Sequence, residues 1–443
     1  MNRIELTRNP LIKGALKNRY PQLALFILML VGYLFAIVAG LVSTPVGNQN
    51  FSIVFVWIAW WALLILVAVP FFGRGWCAVC PIPLPGEWLQ RGATLDPPRR
   101  KPGWANLRWP KFLRNIWLQN ISFLLLALFS TLVLTSPKLT SVILAAMLFI
   151  ALGLSMLFER RSFCRYLCPV GGFVGIYSQT APIELRVKDK RVCATCEGKP
   201  CYNGSSSGYG CPWDVFPPGL SKNTECGLCL ECLRTCPHDN ITVNLRPFSA
   251  DLARPSARLD EAFKAFIMLG SAMIYAGLLL GPWGAIKDAA YHVGTGAWYI
   301  YGTAFTAVIF VVLPVPFAFC AFGSGNRHPF KKRFSTLSTA LIPLGLGFWA
   351  AFSLSFVLNN GAYVLASASD PLGLGWNLFG TANIAWFPVL TSLLAPAQTL
   401  ALVGGLIWSA HTARNAANEV HVSPLPAILY CLAATLVMLW LLL

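Results

Sequence analysis

Long apolar runs dominate the chain and alternate with polar stretches. Nine of these runs approach the ~20 residues that a helix needs to cross a bilayer. They predict transmembrane helices over Leu23–Val42, Ile53–Phe72, Trp117–Leu134, Leu139–Phe158, Phe263–Leu280, Tyr299–Phe319, Leu337–Leu358, Ile384–Trp408 and Leu425–Leu442. Pro388 and Pro396 predict a kinked or partly re-entrant helix in the eighth run. The pattern is typical of an all-α polytopic membrane protein with about nine helices.

The polar stretch between the fourth and fifth runs carries eight cysteines. They form two blocks, Cys193-x2-Cys196-x4-Cys201-x9-Cys211-Pro212 and Cys226-x2-Cys229-x2-Cys232-x3-Cys236-Pro237. Thiolates suit iron, and in bacterial two-cluster proteins the Cys before Pro ligates the other [4Fe–4S] cluster. We therefore assign one cluster to Cys193, Cys196, Cys201 and Cys236, and a second cluster to Cys211, Cys226, Cys229 and Cys232.

The second block fits the cluster spacing closely, whereas the first is stretched by Gly204–Gly210, which we interpret as a flexible insertion loop. Paired structural zinc sites are the nearest alternative, because Cys-x2-Cys spacing also suits zinc. The spacing favours clusters and electron transfer. We expect a small ferredoxin-like α+β insertion within three domains, residues 1–158, 159–262 and 263–443.

Lys and Arg concentrate in alternate loops. Five of them precede the first run and eight follow the second, whereas Ser43–Ser52 between these runs has no charge. The positive-inside rule then places the N-terminus and both clusters in the cytoplasm of a bacterium, and nine helices place the C-terminus in the periplasm. The net charge of +17 needs no nucleic-acid partner on this reading, because basic loops anchor topology and contact membrane lipid.

Some of this charge has a second interpretation. Six basic residues lie close to the cluster cysteines in sequence: Arg186, Lys188, Lys190, Arg191, Lys199 and Lys222. A positive surface there would steer an acidic electron carrier such as a soluble ferredoxin or flavodoxin. Anchoring to anionic lipid is the alternative.

A further set of cysteines follows two of the predicted helices. Cys77-x2-Cys80-Pro81 comes after the second helix and Cys164-x3-Cys168-Pro169 after the fourth, each preceded by an apolar run, an Arg and an aromatic residue. A decayed third copy runs from Phe319 to Gly323, before Arg327. The four thiols have three interpretations: a third iron–sulfur or other metal centre, redox dithiols, or packing of helix ends. We interpret the isolated Cys431 as packing.

With these motifs, Cys77–Pro81, Cys164–Pro169 and Cys193–Pro237, the chain resembles the membrane polyferredoxins over about residues 23–246. That family includes the quinol-oxidising subunit of periplasmic nitrate reductase systems and the membrane electron donor of nitrous oxide reductase. The resemblance implies electron exchange with the quinone pool. The first Cys pair departs from the family's usual Cys-x3-Cys-Pro, and the helices after Phe263 have no counterpart in the short nitrate-reductase subunit.

We therefore expect an electron-transfer subunit of a multi-subunit oxidoreductase complex, linking cytoplasmic carriers to quinone or to a partner such as a c-type cytochrome. A redox-sensing or assembly factor for another metalloenzyme is the alternative. We expect no haem, because the chain has no Cys-x-x-Cys-His and its five His fall in loops or at helix ends. Flavin and nicotinamide are also not expected, because no βαβ unit with a Gly-rich turn is present.

Overall fold

A computed structural model of the protein describes residues 3–95, 105–281, 284–322 and 328–442. Across these ranges, eight helices are long and apolar enough to cross a membrane. They are Tyr20–Val42, Phe51–Ala78, Pro137–Leu157, Leu259–Leu280, Gly296–Cys320, Phe330–Ser369, Thr391–Val420 and Leu425–Leu442. The chain is a mostly helical multi-pass membrane protein, which confirms that part of the prediction.

Two predicted helices differ from the structure. The run Trp117–Leu134 forms a helix over Trp117–Leu128 and a single turn over Ser130–Val133, because the backbone leaves the helical conformation at Phe129. Neither piece alone has the length of a spanning helix. The run Ile384–Trp408 starts irregularly and becomes helical only at Thr391, after Pro388, since the residue before a proline disfavours helix.

The described residues also form a small antiparallel sheet. Its described strands are β1 (Ile4–Glu5), β2 (Ile183–Val187) and β3 (Ile241–Leu245), in the order β1-β3-β2. In the β2–β3 pair, Ile183 lies opposite Leu245 and Val187 opposite Ile241. Leu185, Ile241 and Val243 point into a core that also contains Leu220 and Leu233. Sequence reasoning expected the α+β character of this region but not the strand from the N-terminus.

The N-terminal segment is fastened to this sheet region by charge as well as by β1. Arg3 pairs with the buried Glu184 at 2.7 Å, and Arg19 pairs with Glu231 at 3.0 Å. Lys13, on the helix Pro10–Lys17, pairs with Asp239. These basic residues, which the sequence explained by membrane topology alone, also form specific ion pairs.

Short helices and turns carry the cysteines. Cys193 lies in the helix Lys190–Thr195, Cys201 in Pro200–Asn203 and Cys232 in Glu231–Thr235. Cys168 caps the helix Pro169–Tyr177, and its sulfur accepts a hydrogen bond from the amide of Gly171. Proline at the first position favours this helix start, since its missing N–H has no intrahelical partner there. Another short helix, Leu84–Arg91, follows the Cys77–Cys80 turn.

The chain divides into two compact units. The first, which we call the cysteine unit, comprises Met1–Phe35, Ala68–Gln119 and Leu144–Asp251, and contains 12 of the 14 cysteines. The second, the apolar unit, comprises Ala36–Val67, Asn120–Ile143 and Leu252–Leu443. The division into three domains made from the sequence stays a prediction.

The apolar unit packs around an aromatic core. Trp349 is fully buried, its indole N–H donates to the carbonyl of Met268 at 3.0 Å, and its ring lies 5.4 Å from Tyr275 and 5.6 Å from Trp61. Cys431 is buried in this unit, and its sulfur accepts a hydrogen bond from the Ser409 hydroxyl at 3.2 Å, an environment that suits packing. Of the predicted decayed copy, Cys320 ends a helix, whereas Gly323 and Arg327 lie outside the described residues.

Candidate metal centres

Four cysteines near the sheet form what we call the outer group: Cys193, Cys196, Cys201 and Cys236. The pKa of the Cys201 thiol is raised to about 12, first by burial and then by the neighbouring thiols of the other three. Asn240 ties the group together, since its side-chain amide donates to the sulfur of Cys193 at 3.2 Å and its backbone N–H to that of Cys236 at 3.3 Å. The structure therefore brings together the four residues that the sequence assigned to one cluster.

A second set of four, the middle group, contains Cys211, Cys226, Cys229 and Cys232. Burial raises the pKa of Cys232 well above its ordinary value, and the adjacent Cys226, Cys229 and Cys211 thiols raise it further. Leu228 and Leu230 flank Cys229 with φ of 49° and 64°, a conformation that costs energy for side chains larger than glycine. Left-handed residues are components of the backbone nests whose N–H groups bind anions.

The remaining four, the inner group, are Cys77, Cys80, Cys164 and Cys168. Three of them are nearly inaccessible, at 5%, 6% and 5% exposure for Cys77, Cys164 and Cys168. The pKa of Cys164 is raised well above its ordinary value by burial and then by Cys168, with Cys80 and Cys77 adding to the effect. The two Cys-Pro motifs therefore meet in space, as a shared site requires.

The inner group has an approximate internal repeat. Gly73 and Arg160, each four residues before the first Cys of its motif, both have positive φ, 56° and 62°. The next residue is a buried arginine in each case, and each arginine reaches into the opposite motif. Arg74 donates to the carbonyl of Gly171 at 2.7 Å, and Arg161 donates to the carbonyl of Cys77 at 2.7 Å. The similarity of setting seen in the sequence thus corresponds to a reciprocal pair of contacts.

A buried acid, Glu87, balances part of this positive charge. Glu87 accepts from Arg161 at 2.6 Å and from Arg91 at 2.5 Å, and it is 3% exposed. Burial alone would raise the pKa of Glu87, but the two guanidinium groups hold it below its ordinary value. Glu87 therefore stays ionised. In the described hydrogen bonds, Glu87 accepts from Arg161 and Arg91, whereas the guanidinium of Arg74 donates to Gly171.

The three groups form a series. The pKa of Cys232 in the middle group is also raised by Cys201 of the outer group, which places these two groups side by side. Burial would lower the pKa of Arg161, yet it is raised by Glu87 and then by Cys229 of the middle group and Cys164 of the inner group. The order is therefore outer, middle, inner, with Arg161 between the last two.

The donor chemistry fits iron–sulfur clusters. No three His, Cys, Asp or Glu side chains within the described ranges converge as ligands of one metal ion. Thiolates of a cubane each bind a different iron, so their sulfurs stand further apart than the ligands of a single zinc ion. N–H groups directed at sulfur, at Cys168, Cys193 and Cys236, are the outer-shell contacts that such clusters use. The thiol chemistry of the cysteine groups therefore suits iron–sulfur clusters.

One expectation about the surroundings needs correction. Arg186 does not contribute to a positive surface, because it is 9% exposed and pairs with Glu184 and Asp251 at 3.4 and 3.3 Å. In the Gly204–Gly210 loop, Ser205 and Gly208 form a β-bridge and the Tyr209 amide donates to Glu231. The flexibility expected of this loop stays a prediction.

Several contributors to the sites were missed from sequence. Asn240, Glu87 and the N-terminal strand gave no signal in a single sequence, because each acts through contacts distant along the chain. Arg74 and Arg161 did give one, since each stands three residues before the first Cys of its motif. Reading that shared position as a functional feature would have identified both residues.

A family profile described as a 4Fe-4S binding domain matches residues 53–105 and 140–190. These segments contain all four inner cysteines and end before Cys193. The chain is also similar to the putative electron transport protein YccM of Escherichia coli (strain K12), with 31% identity over 143 residues, 32% of this chain and 34% of that protein. The chain therefore spans about a third of the length of this relative.

Two uncharacterized proteins of Methanocaldococcus jannaschii also match. MJ0750 is 31% identical over 86 residues, 19% of this chain and 32% of that protein, and MJ0749 is 29% identical over 76 residues, 17% and 26% respectively. No solved structure matches the chain significantly. The chain is therefore similar to 4Fe-4S binding proteins over part of its length, and it spans between a quarter and a third of the curated relatives that it matches.

Proposed function

We propose that this protein is a membrane-bound electron conduit that holds three [4Fe–4S] clusters, one on each cysteine group. When bound, such clusters supply one-electron oxidation and reduction at potentials set by their surroundings. The observation that carries the proposal is the series of twelve thiols in three neighbouring sets of four, running from the sheet region to the ends of membrane helices. Cys spacing and the proximity of the thiols support clusters on the outer and middle groups.

The third cluster has its own support. The inner group could instead form dithiols or pack helix ends, but two buried arginines supply positive charge beside it. Four thiolates and a cubane carry net negative charge, which a buried site must compensate. Simple packing of thiols gives no reason to bury Arg74 and Arg161 there. The 4Fe-4S profile also matches these motifs.

The membrane topology we propose has nine crossings. Eight of them are the long apolar helices, and we assign the ninth to the run Trp117–Leu134, whose two helical pieces together have about the length of a span. With the positive-inside rule, the N-terminus and clusters are cytoplasmic and the C-terminus periplasmic, in a bacterial inner membrane.

We place the aqueous electron partner at the outer group. Lys188, Lys190, Arg191 and Lys199 are exposed around Cys193 and Cys196, although Lys188 pairs with Glu5 and Arg191 with Asp189. Lys222 is half-buried and donates to Gln179. The exposed basic residues suit an acidic one-electron carrier, such as a soluble ferredoxin or flavodoxin, because opposite charge speeds encounter. Changing Lys190 and Arg191 to Glu should slow electron exchange with such a carrier and weaken its dependence on salt.

We place quinone exchange in an open cleft beside the middle group. Leu23, Phe26 and Trp88 form an apolar wall, and the Phe26 and Trp88 rings meet edge to face at 5.0 Å. Glu87, Arg161 and Cys229 line the polar side. Arg19, Arg91, Arg234 and Glu231 also line the cleft, so one apolar wall faces a strongly charged one. We propose that the apolar wall holds the quinone ring and that the charged side binds its two oxygens. Oxidation of one quinol there would release two electrons and two protons, and reduction of a quinone would consume them.

A kinetic experiment tests the conduit. We expect a short-chain quinol and a reduced ferredoxin each to change the visible iron–sulfur absorption of the purified full chain. Leu23→Trp, which fills the cleft, should slow the quinol reaction at least tenfold and leave the ferredoxin reaction unchanged. Leu25→Trp is the matched control, since Leu25 is 42% exposed on the same helix.

The outcomes distinguish the other assignments. If the native chain reacts with ferredoxin but not with quinol, its membrane-side partner is a membrane or periplasmic protein, such as a c-type cytochrome in a larger complex. An iron-replete chain that reacts with neither donor would contradict the conduit. That result would favour a redox-sensing or assembly role, for which deletion should strip metal from a client enzyme.

A further inference from the structure

Trp213 is a buried indole next to the middle group. It follows Cys211 and Pro212, is 2% exposed, and ranks among the largest fully buried side chains of the described chain. The guanidinium of Arg165 donates to the carbonyl oxygens of Trp213 and of Asp214. The backbone here is fixed, so the indole has a defined position.

The indole N–H of Trp213 is directed into the loop that carries two ligands of the middle group. Nε1 is buried and has no hydrogen-bond partner among the described residues. A Cβ added to Gly227 would lie 2.1 Å from Nε1, so the N–H abuts the backbone between Cys226 and Cys229. Native proteins seldom bury an N–H group without a partner, and each such group needs an explanation.

The face of the same indole contacts the surroundings of the inner group. The guanidinium of Arg74 lies 4.7 Å from the ring centroid, and Arg74 also donates to Gly171. A cation over the ring draws electron density from the indole and makes its N–H a stronger donor. Trp213 therefore lies between the middle cysteine loop and an arginine of the inner group.

We infer that the indole N–H of Trp213 donates a hydrogen bond to a sulfur of the middle iron–sulfur centre and raises its reduction potential. Reduction adds negative charge, so a donor at sulfur stabilises the reduced state more than the oxidised state. This inference rests on the proposed function, because it requires a cluster on Cys211, Cys226, Cys229 and Cys232. Trp213 is a positioning residue that tunes a centre, and it is not a ligand.

The test is an EPR-monitored redox titration of the full chain, with iron measured first. The signal of the middle centre is identified by its loss in Cys229→Ser. Trp213→Phe should lower the midpoint of that signal by about a tenfold change in the reduced-to-oxidised ratio at fixed potential, ~59 mV for one electron. ENDOR spectra in H₂O and D₂O identify the exchangeable protons coupled to that centre. One such coupling, present in the native chain, should be absent from Trp213→Phe.

Two glycine variants complete the design. Gly227→Ala keeps the indole but displaces it, so the midpoint should move in the same direction as in Trp213→Phe. Gly219→Ala is the matched control, because an added Cβ there meets no atom within 4 Å. Its midpoint should equal that of the native chain.

Each result decides the inference. An iron-replete Trp213→Phe with the native midpoint and the native proton coupling would contradict the inference about Trp213 and leave the proposed function intact. If Trp213→Phe loses the iron of the middle centre, Gly227→Ala decides, and an unchanged coupling there overturns the inference. A native chain without iron would instead contradict the proposed function, and the Trp213 inference would fall with it.

Discussion

The outer and inner groups arrange the same four thiols in opposite surroundings. The outer group stands on short helices between two five-residue strands, and Cys196 and Cys236 are half-buried. The N–H groups that donate to its sulfurs are the neutral side-chain and backbone amides of Asn240. The inner group lies at the ends of membrane helices, and Arg74 and Arg161 bring charge to its motifs. Solvent can screen the negative charge of the thiolates in the outer group. At the buried inner group, arginine must compensate that charge.

The largest expected effect is on folding of the cysteine loops. Cys229→Ala should remove the middle centre and make residues 193–236 sensitive to protease, because metal–thiolate bonds supply much of the order of small loops. Cys164→Ala should remove the inner centre without such cleavage, since membrane helices hold that site. Limited proteolysis under anaerobic conditions measures both. Equal resistance of Cys229→Ala and the native chain would show that the loops fold without metal.

The next effect concerns the charges of the inner group. Arg161→Met should lower the free energy of unfolding by about 3 kcal/mol, because it removes one partner of the buried Glu87. Adding Glu87→Gln should recover part of that loss, as expected for coupled residues. Arg108→Met is the control, since Arg108 is 84% exposed and should change stability by less than about 0.5 kcal/mol. Denaturant unfolding in detergent measures both variants. Equal losses of unfolding free energy for Arg161→Met and Arg108→Met would show that the buried arginine contributes no more to stability than the exposed one.

A smaller effect separates the outer group from the other two. Asn240→Leu removes the side-chain donor to Cys193, a hydrogen bond worth about 1 kcal/mol. The outer centre should become about fivefold harder to reduce at fixed potential, while the middle and inner centres keep their midpoints. A redox titration measures this change. A shift shared by all three signals would mean that Asn240 acts through the fold and not through sulfur.

The smallest effect is at the N-terminal segment. Lys13→Ala removes a partly exposed ion pair with Asp239 and should cost less than about 1 kcal/mol. Lys17→Ala, whose ammonium is 3.6 Å from the same carboxylate, should cost no more. Thermal unfolding of the cysteine unit followed by iron release provides the measurement. A loss of several kcal/mol would show that the segment is essential for the outer group.

Much of this architecture is predictable from the sequence because its signals are local. Cys spacing and Cys-Pro endings assign the members of each group, and apolar runs mark the membrane helices. Contacts between distant segments are not local, so the pairing of β1 with β3 and the salt bridge of Glu87 with Arg161 escaped prediction. The break at Phe129 also escaped, since nothing in that apolar run distinguishes a broken helix from a straight one.

The central claim is that the inner cysteines hold a third cluster, and metal analysis tests it most directly. Anaerobic iron and acid-labile sulfide would be measured on the native chain, on Cys77→Ala/Cys168→Ala and on Cys431→Ala as the control. Three cubanes predict about twelve iron atoms per native chain and per control, and about eight in the double variant. About eight in all three proteins would contradict the claim and leave the inner thiols as dithiols or packing.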